Sequence, residues 1–361
     1  MRIISAYIAL LLSTSLVAQE VYTNDVLVRT GYGALVPHRS IMHHMVTGHA
    51  CFAEVSYQFN SYGQHNFDTP FLMPSAGISG LFLNSGNSEM IGNCYGIYTY
   101  FALPISKKKF IPKIKMGTGL GYVQKPFDIK TNTKNVAIGS HLNTCIVVEL
   151  FNNVTLSEKF SLNYGIAMIH FSNGSFSSPN LGLNFLTANL GASYALGEKK
   201  EIKHSEKLNY DKSWKYNVWL SGGVRSNSTH HQEKYPAYTL TTETIKRVST
   251  KSQLLFGLDF FYNTSIEHLD EYEHLKENVD YLKSSSNFQL GTYFGYGLVF
   301  DKLTINIING FYLRNEFKER SILYHRVSIR RKITEKLTLA LGLKSHFGVA
   351  EYAELGIGYT F

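Results

Sequence analysis

The sequence predicts an all-β fold, an antiparallel outer-membrane β-barrel, and three observations carry that prediction. An apolar leader opens the chain, yet no later apolar run is long enough for a spanning helix. Aromatic residues and glycines are abundant, and charge is sparse. Segments of about ten residues alternate between apolar side chains and small or polar ones, the period of a wall with lipid on one side only.

The leader comes first. Met1-Arg2 supplies one positive charge, Ile3 to Leu12 is apolar, and Val17-Ala18-Gln19 closes a small, polar stretch. That order is a secretory signal peptide, residues 1–18, with cleavage expected after Ala18. The apolar run falls short of the ~20 residues a spanning helix needs. No cysteine lies near the cleavage point, so no lipoprotein anchor is expected.

Composition points the same way. With 24 Tyr, 23 Phe and 29 Gly against 17% charged residues, the chain suits a lipid-facing barrel better than its rival, a soluble secreted all-β protein. The net charge of +8 would ordinarily raise nucleic acid as a partner. Behind a secretory leader, basic loops over an anionic lipid surface, or a merely solvated basic surface, are the expectation instead. Cys51, Cys94 and Cys145 are odd in number and match no metal spacing. One disulfide is conceivable, but three small apolar residues in strand walls are expected.

Strands follow from strict alternation. Leu337, Leu339, Leu341 and Leu343 alternate with Thr338, Ala340, Gly342 and Lys344. Ala353, Leu355, Ile357, Tyr359 and Phe361 alternate with Glu354, Gly356, Gly358 and Thr360, and a last strand ending in Phe resembles an outer-membrane sorting signal. Further strands are expected near 23–36, 50–60, 71–84, 92–103, 111–123, 138–153, 159–172 and 182–197. After a charged connector, Gly197 to Ser213, they resume near 214–227, 251–264, 287–300, 302–315, 321–332, 335–346 and 350–361.

That list holds fifteen strands, and a barrel with both ends in the periplasm needs an even number. The polar stretch Tyr238 to Val248 would make sixteen, and fourteen remains open if one segment is not a strand. Asp301-Lys302 and Thr334-Glu335 then become inner turns, and His268 to Lys283 an outer loop. Residues 19–197 form one segment and 198–361 a second set of strands, which either enlarges the barrel or forms a separate unit. The halves open and close on similar patterns, a weak hint of duplication.

The chemistry-bearing stretch is Ile169-His170-Phe171-Ser172-Asn173-Gly174. Side chains two apart on a strand share a face. In 159–172 the apolar parity is even (Leu162, Tyr164, Ile166, Met168), and His170 and Ser172 continue it. In 182–197 the apolar parity is again even (Leu186, Ala188, Leu190), and Asn184 extends it. A base, a nucleophile and a polar partner are thus expected on the lipid side, at the outer rim. His170 titrates near neutral pH and would activate the Ser172 hydroxyl. Asn184 would orient the imidazole, and Asn173 with the Gly174 backbone would offer oxyanion donors. A His and a Ser at a strand rim also occur as plain interfacial polar residues, and the pair alone does not decide.

His170-Phe171-Ser172-Asn173-Gly174, followed by Pro179-Asn180 and Gly182, resembles the active-site segment of PagL-type lipid A 3-O-deacylases. The resemblance covers about residues 22–197. It implies an eight-stranded outer-membrane barrel that hydrolyses the 3-position ester of lipid A with a Ser-His-Glu triad and no metal. It would make His170 the base, Ser172 the nucleophile and Asn173 part of the oxyanion site. Two departures stand out. Asn184 falls where the family has its glutamate, so weaker activity or another nearby acid is expected. Residues 198–361 have no counterpart in the eight-stranded family.

Two functions remain. One is an esterase that removes an acyl chain from lipid A in the outer leaflet of a Gram-negative bacterium, with no cofactor. The other is a non-catalytic barrel, a porin or binding protein, with a water-filled lumen. The remaining clustered histidines, His38, His43, His44, His49, His230 and His231, lack metal-site carboxylates and are expected to be solvated loop residues.

Overall fold

The computed structural model describes residues 20–106, 112–204, 209–227, 233–266, 286–315 and 321–361. The expected signal peptide, His230, His231 and the whole expected outer loop His268 to Lys283 lie outside them. The first eight strands are β1 (Glu20–Leu35), β2 (Ala50–Asn60), β3 (Ser75–Asn84), β4 (Asn93–Pro104), β5 (Lys113–Val123), β6 (Leu142–Thr155), β7 (Phe160–Ser172) and β8 (Leu183–Glu201). The second eight are β9 (Trp214–Arg225), β10 (Tyr235–Arg247), β11 (Ser252–Asn263), β12 (Phe288–Phe300), β13 (Leu303–Arg314), β14 (Leu323–Lys332), β15 (Leu337–His346) and β16 (Val349–Thr360).

The sixteen strands close as two rings of eight, each an antiparallel meander. Of the two arrangements the sequence left open, the second half is a separate unit. β1 pairs with β8 from Glu20↔Glu201 to Leu35↔Phe185, so the first ring shuts before the chain leaves it. β16 closes on β9 from Glu354↔Gly223 to Thr360↔Asn217. β8 runs past Gly197, where a connector was expected, because β1 begins early enough to pair with Lys199, Lys200 and Glu201. β3 starts later than expected. Leu72 and Met73 take left-handed backbone angles, φ 62° and 58°, which end any extended run there.

Alternation sorts the wall into faces. Ile166 and Leu190 are 55% and 58% exposed on the outer surface, while their odd-numbered neighbours Ala167 and Asn189 are buried. In the first barrel the outer half of the bore is apolar, with Phe52, Leu83, Val123, Cys145, Ile169 and Phe171 packed under Met42 and Met45 of the β1–β2 loop. The rest of the bore is charged. Arg29 pairs with Glu54 and with Glu149, and Lys115 Nζ lies 2.8 Å from Glu54 Oε1. Tyr98 donates to Glu54.

The second bore repeats the device. Arg326 spans Asp259 (2.8 Å) and Glu354 (2.6 Å), Arg330 meets Glu243 (2.7 Å), and Lys344 meets Glu351 (2.9 Å). Beside Trp219 and Arg326 the void is about 10 Å³, about the room for one water, and a cavity of about 140 Å³ lies toward the inner end among Asn217, Gln253, Arg330 and Thr338. Eight strands make a ring that its own side chains fill. The water-filled lumen expected of a porin is not what these strands enclose.

The barrels stand side by side with the same end up. At the outer end Ser175 Oγ donates to the Ala350 carbonyl (2.6 Å), and the Ser226 N–H donates to the Ser175 carbonyl (2.8 Å). At the opposite end Phe71 and Phe101 stack on Phe300, with ring centroids 4.2 Å and 5.1 Å apart. Cys51, Cys94 and Cys145 are all free. Among the described residues no helix is long and apolar enough to cross a membrane, and the strands make the crossing instead.

Candidate active site

β7 and β8 are antiparallel neighbours, and His170 sits opposite Asn184 in their register. His170 Nδ1 lies 2.7 Å from Asn184 Oδ1. Both belong to the outward parity that Ile166, Met168, Leu186 and Leu190 define. Phe171, Leu183 and Phe185 point the other way, into the apolar bore, and anchor the strand ends that hold the pair. Gly182 lets them approach. Its φ is +82°, and a Cβ there would stand 2.7 Å from His170 Cε1.

Ser172 lies two residues beyond His170 on the same face and is 6% exposed. Its hydroxyl makes no hydrogen bond to His170 among the described residues, so the dyad is aligned but not closed. Contacts of this kind commonly tighten only around a bound substrate.

The loop 173–182 follows. Asn173 was expected to offer an oxyanion donor, but its N–H groups are engaged. The side-chain amide donates to Ser140 Oγ (2.8 Å) and the Ser177 carbonyl (2.9 Å), and the backbone N–H donates to Asn180 Oδ1 (2.9 Å). Asn173 therefore braces this loop against the β5–β6 loop. Asn180 Nδ2 is buried and has no partner among the described residues, a donor that the sequence reading passed over although Asn180 belongs to the motif. Gly174 has φ +62°.

His38 is the second residue that was missed. It lies in the β1–β2 loop, and its Nδ1 is 3.1 Å from Asn184 Nδ2. It is not a freely solvated loop histidine. Burial, with the adjacent Arg39 charge, holds its imidazole below the usual histidine range, and a backbone hydrogen bond at Leu181 opposes this. His43 Nδ1 and His44 Nε2 instead meet the carbonyls of Ser40 and Lys134, each at 2.8 Å. Four histidines fall within twelve residues, and no local pattern in the sequence marks which one the fold brings to Asn184.

Comparison with known proteins gives two segment matches. Residues 52–193 match the family model of lipid A 3-O-deacylase (PagL). Residues 214–361 match that of the acyloxyacyl hydrolase C-terminal domain. The chain belongs to the PagL family. It is an ester hydrolase of the outer membrane that deacylates lipid A. The first match runs from β2 into β8 of the barrel that carries His170, Ser172 and Asn184, and the second covers the other barrel of this PagL-type chain.

Among solved structures, the outer membrane enzyme PagL aligns at 15% identity and a TM-score of 0.33, over 48% of this chain and 99% of that one. The KdgM porin aligns at 8% identity and a TM-score of 0.20, over 93% and 99%. The Acinetobacter baumannii outer membrane protein Omp33 aligns at 9% identity and a TM-score of 0.18, over 95% and 100%. No curated relative matches the PagL-type chain.

Proposed function

We propose that this chain is a serine esterase that hydrolyses the 3-position acyl ester of lipid A from the outer face of its first barrel, the segment 19–197. The segment 198–361 buttresses the site loop. Ser172 is the nucleophile, His170 the base, and Asn184 the group that orients the base. The observation that carries the reading is the 2.7 Å contact of His170 Nδ1 with Asn184 Oδ1, on the lipid side beside Ser172.

The steps follow from that contact. A proton on Nδ1 donated to Asn184 leaves Nε2 with a free lone pair, able to take the Ser172 hydroxyl proton. Ser172 Oγ attacks the acyl carbonyl carbon. The negative charge gathers on the carbonyl oxygen, and the donors assigned to it are the free amide of Asn180 and the Gly174 N–H. Collapse breaks the ester bond to the sugar oxygen, which receives the proton from His170. Water, deprotonated by His170, then releases the fatty acid and restores Ser172. Placement on the outer wall suits a substrate whose acyl chains never leave the bilayer.

Mass spectrometry of lipid A from cells that express the full chain tests this. A loss of mass equal to one acyl chain is expected with the wild type, and no change with Ser172→Ala or His170→Ala at equal folded levels. Normal deacylation by either variant would remove that residue from the scheme.

A further inference from the structure

Two imidazoles flank one amide at this site. Asn184 presents Oδ1 to His170 and Nδ2 to His38, and such an amide has one acceptor end and one donor end. One imidazole must therefore donate to it and the other accept from it. The Leu181 backbone also acts on His38, raising its proton affinity as a carbonyl acceptor does. A neutral imidazole has a single N–H. If that N–H serves the Leu181 carbonyl, Nδ1 is bare and accepts from Asn184 Nδ2. The amide is then locked with Oδ1 toward His170, the orientation that keeps the proton on His170 Nδ1 and the lone pair on Nε2.

We propose that His38 is a positioning residue that sets the amide orientation of Asn184 and, through it, the tautomer of His170. This rests on the reading of His170 as the base. The need for such a device is chemical. A carboxylate accepts through either oxygen, so it holds a histidine in one tautomer without help. An asparagine is ambiguous, and where it replaces the acid of a serine triad, activity falls by about 10⁴ because the wrong tautomer wins. Here the second imidazole removes the ambiguity.

A consequence is a proton-sensitive lock. A proton on His38 Nδ1 would face the Nδ2 donors of Asn184, and the amide would turn over. Its NH₂ would then point at His170 Nδ1, which must give up its proton, and Nε2 would carry the N–H and cease to be a base. Burial and the charge of Arg39, next to it in the chain, favour the neutral form of His38, and the Leu181 backbone opposes them. His170 is the titratable group that faces it across the amide.

The test uses the refolded full chain in detergent with purified lipopolysaccharide as substrate, and heat-modifiable gel migration as the control for folding. His38→Ala should lower kcat at least about tenfold with KM little changed. In an Asn184→Asp background the same His38→Ala change should have almost no effect, since a carboxylate needs no orienting. His38→Gln keeps an acceptor without a titrating group. It should hold most of the activity and reduce the acid limb of log kcat against pH from a slope of about two to about one. Wild-type kcat and an unaltered acid limb in His38→Ala and His38→Gln would overturn the proposal, as would an equal loss from His38→Ala in both backgrounds. If Ser172→Ala or His170→Ala remains active, the underlying scheme fails instead. If those two are dead and the His38 variants are normal, only the role of His38 fails.

Discussion

Gly174 and Ala353 meet across the seam between the two barrels, and a methyl group on Gly174 would stand 3.1 Å from Ala353 Cβ. The residue beside the proposed oxyanion site is therefore confined by a strand of the other barrel. Ser175, Ser178 and Lys234 extend the seam. Ser178 Oγ donates to the Ser226 carbonyl (3.0 Å), and Lys234 Nζ lies 4.3 Å from the Phe176 ring centroid while donating to the Phe176 carbonyl.

Disturbing that seam should cost activity before stability. Gly174→Val forces a branched side chain into φ +62° and against Ala353, a strain of roughly 1–2 kcal/mol. Ala353→Phe crowds the loop from the other side with no backbone strain. Both should lower deacylation by about tenfold or more, the cost expected from a small displacement of reacting groups. Urea unfolding of the first barrel should barely move. Unchanged rates in Ala353→Phe would mean that the second barrel is a bystander.

The free amide of Asn180 predicts a transition-state effect. Asn180→Ala should reduce kcat about 10²–10³-fold with a near-constant KM, as removal of one oxyanion donor does elsewhere. Asn180→Asp should do no better, because it keeps the acceptor for the Asn173 N–H but loses the donor. Steady-state kinetics on lipopolysaccharide micelles would separate the two parameters. A pure KM effect would place Asn180 in substrate binding only.

The charge cluster in the first bore predicts a stability pattern. Glu54→Leu leaves Arg29 and Lys115 with Glu149 alone, in a bore sealed above by apolar side chains. The expected loss is about 3–5 kcal/mol, typical when one partner of a buried pair is removed. Adding Arg29→Met should recover much of it, because Lys115 and Glu149 can then pair with each other. Urea titrations of the refolded barrel would show this, and a double variant no better than the single would argue that Arg29 is not charge-compensated by Glu54.

Both filled bores predict electrical silence. The full chain in planar bilayers should give no steady conductance steps, in contrast to a wide-lumen barrel. Regular channel openings would require the Arg326–Asp259–Glu354 or Arg29–Glu54–Glu149 clusters to be displaced.

The strands were readable because lipid allows only apolar side chains on its face, and Leu337 to Leu343 or Leu355 to Tyr359 show that rule without interruption. The strand at Tyr235–Arg247 was the faint one, and its bore face explains why. Thr239, Thr241 and Glu243 all point inward, where Glu243 receives Arg330, so the polar half of the alternation is heavy. Ring closure was not readable. Pairing of β1 with β8 is a contact between distant segments, and one wide ring or two narrow ones share the same alternation. At the site, parity put His170, Ser172 and Asn184 on one wall, because that depends on sequence spacing alone. The engaged amide of Asn173, the idle one of Asn180 and the approach of His38 depend on how two loops fold over each other, which no local periodicity encodes.

The ion pairs in the two bores have a further meaning for the cell. Arg29 and Lys115 are balanced by Glu54 and Glu149, and the arginines and lysine of the other cylinder likewise have carboxylates at hand. If both cylinders stay shut as predicted, a bacterium that studs its envelope with this hydrolase remodels its surface glycolipid without opening a leak for antibiotics or detergents.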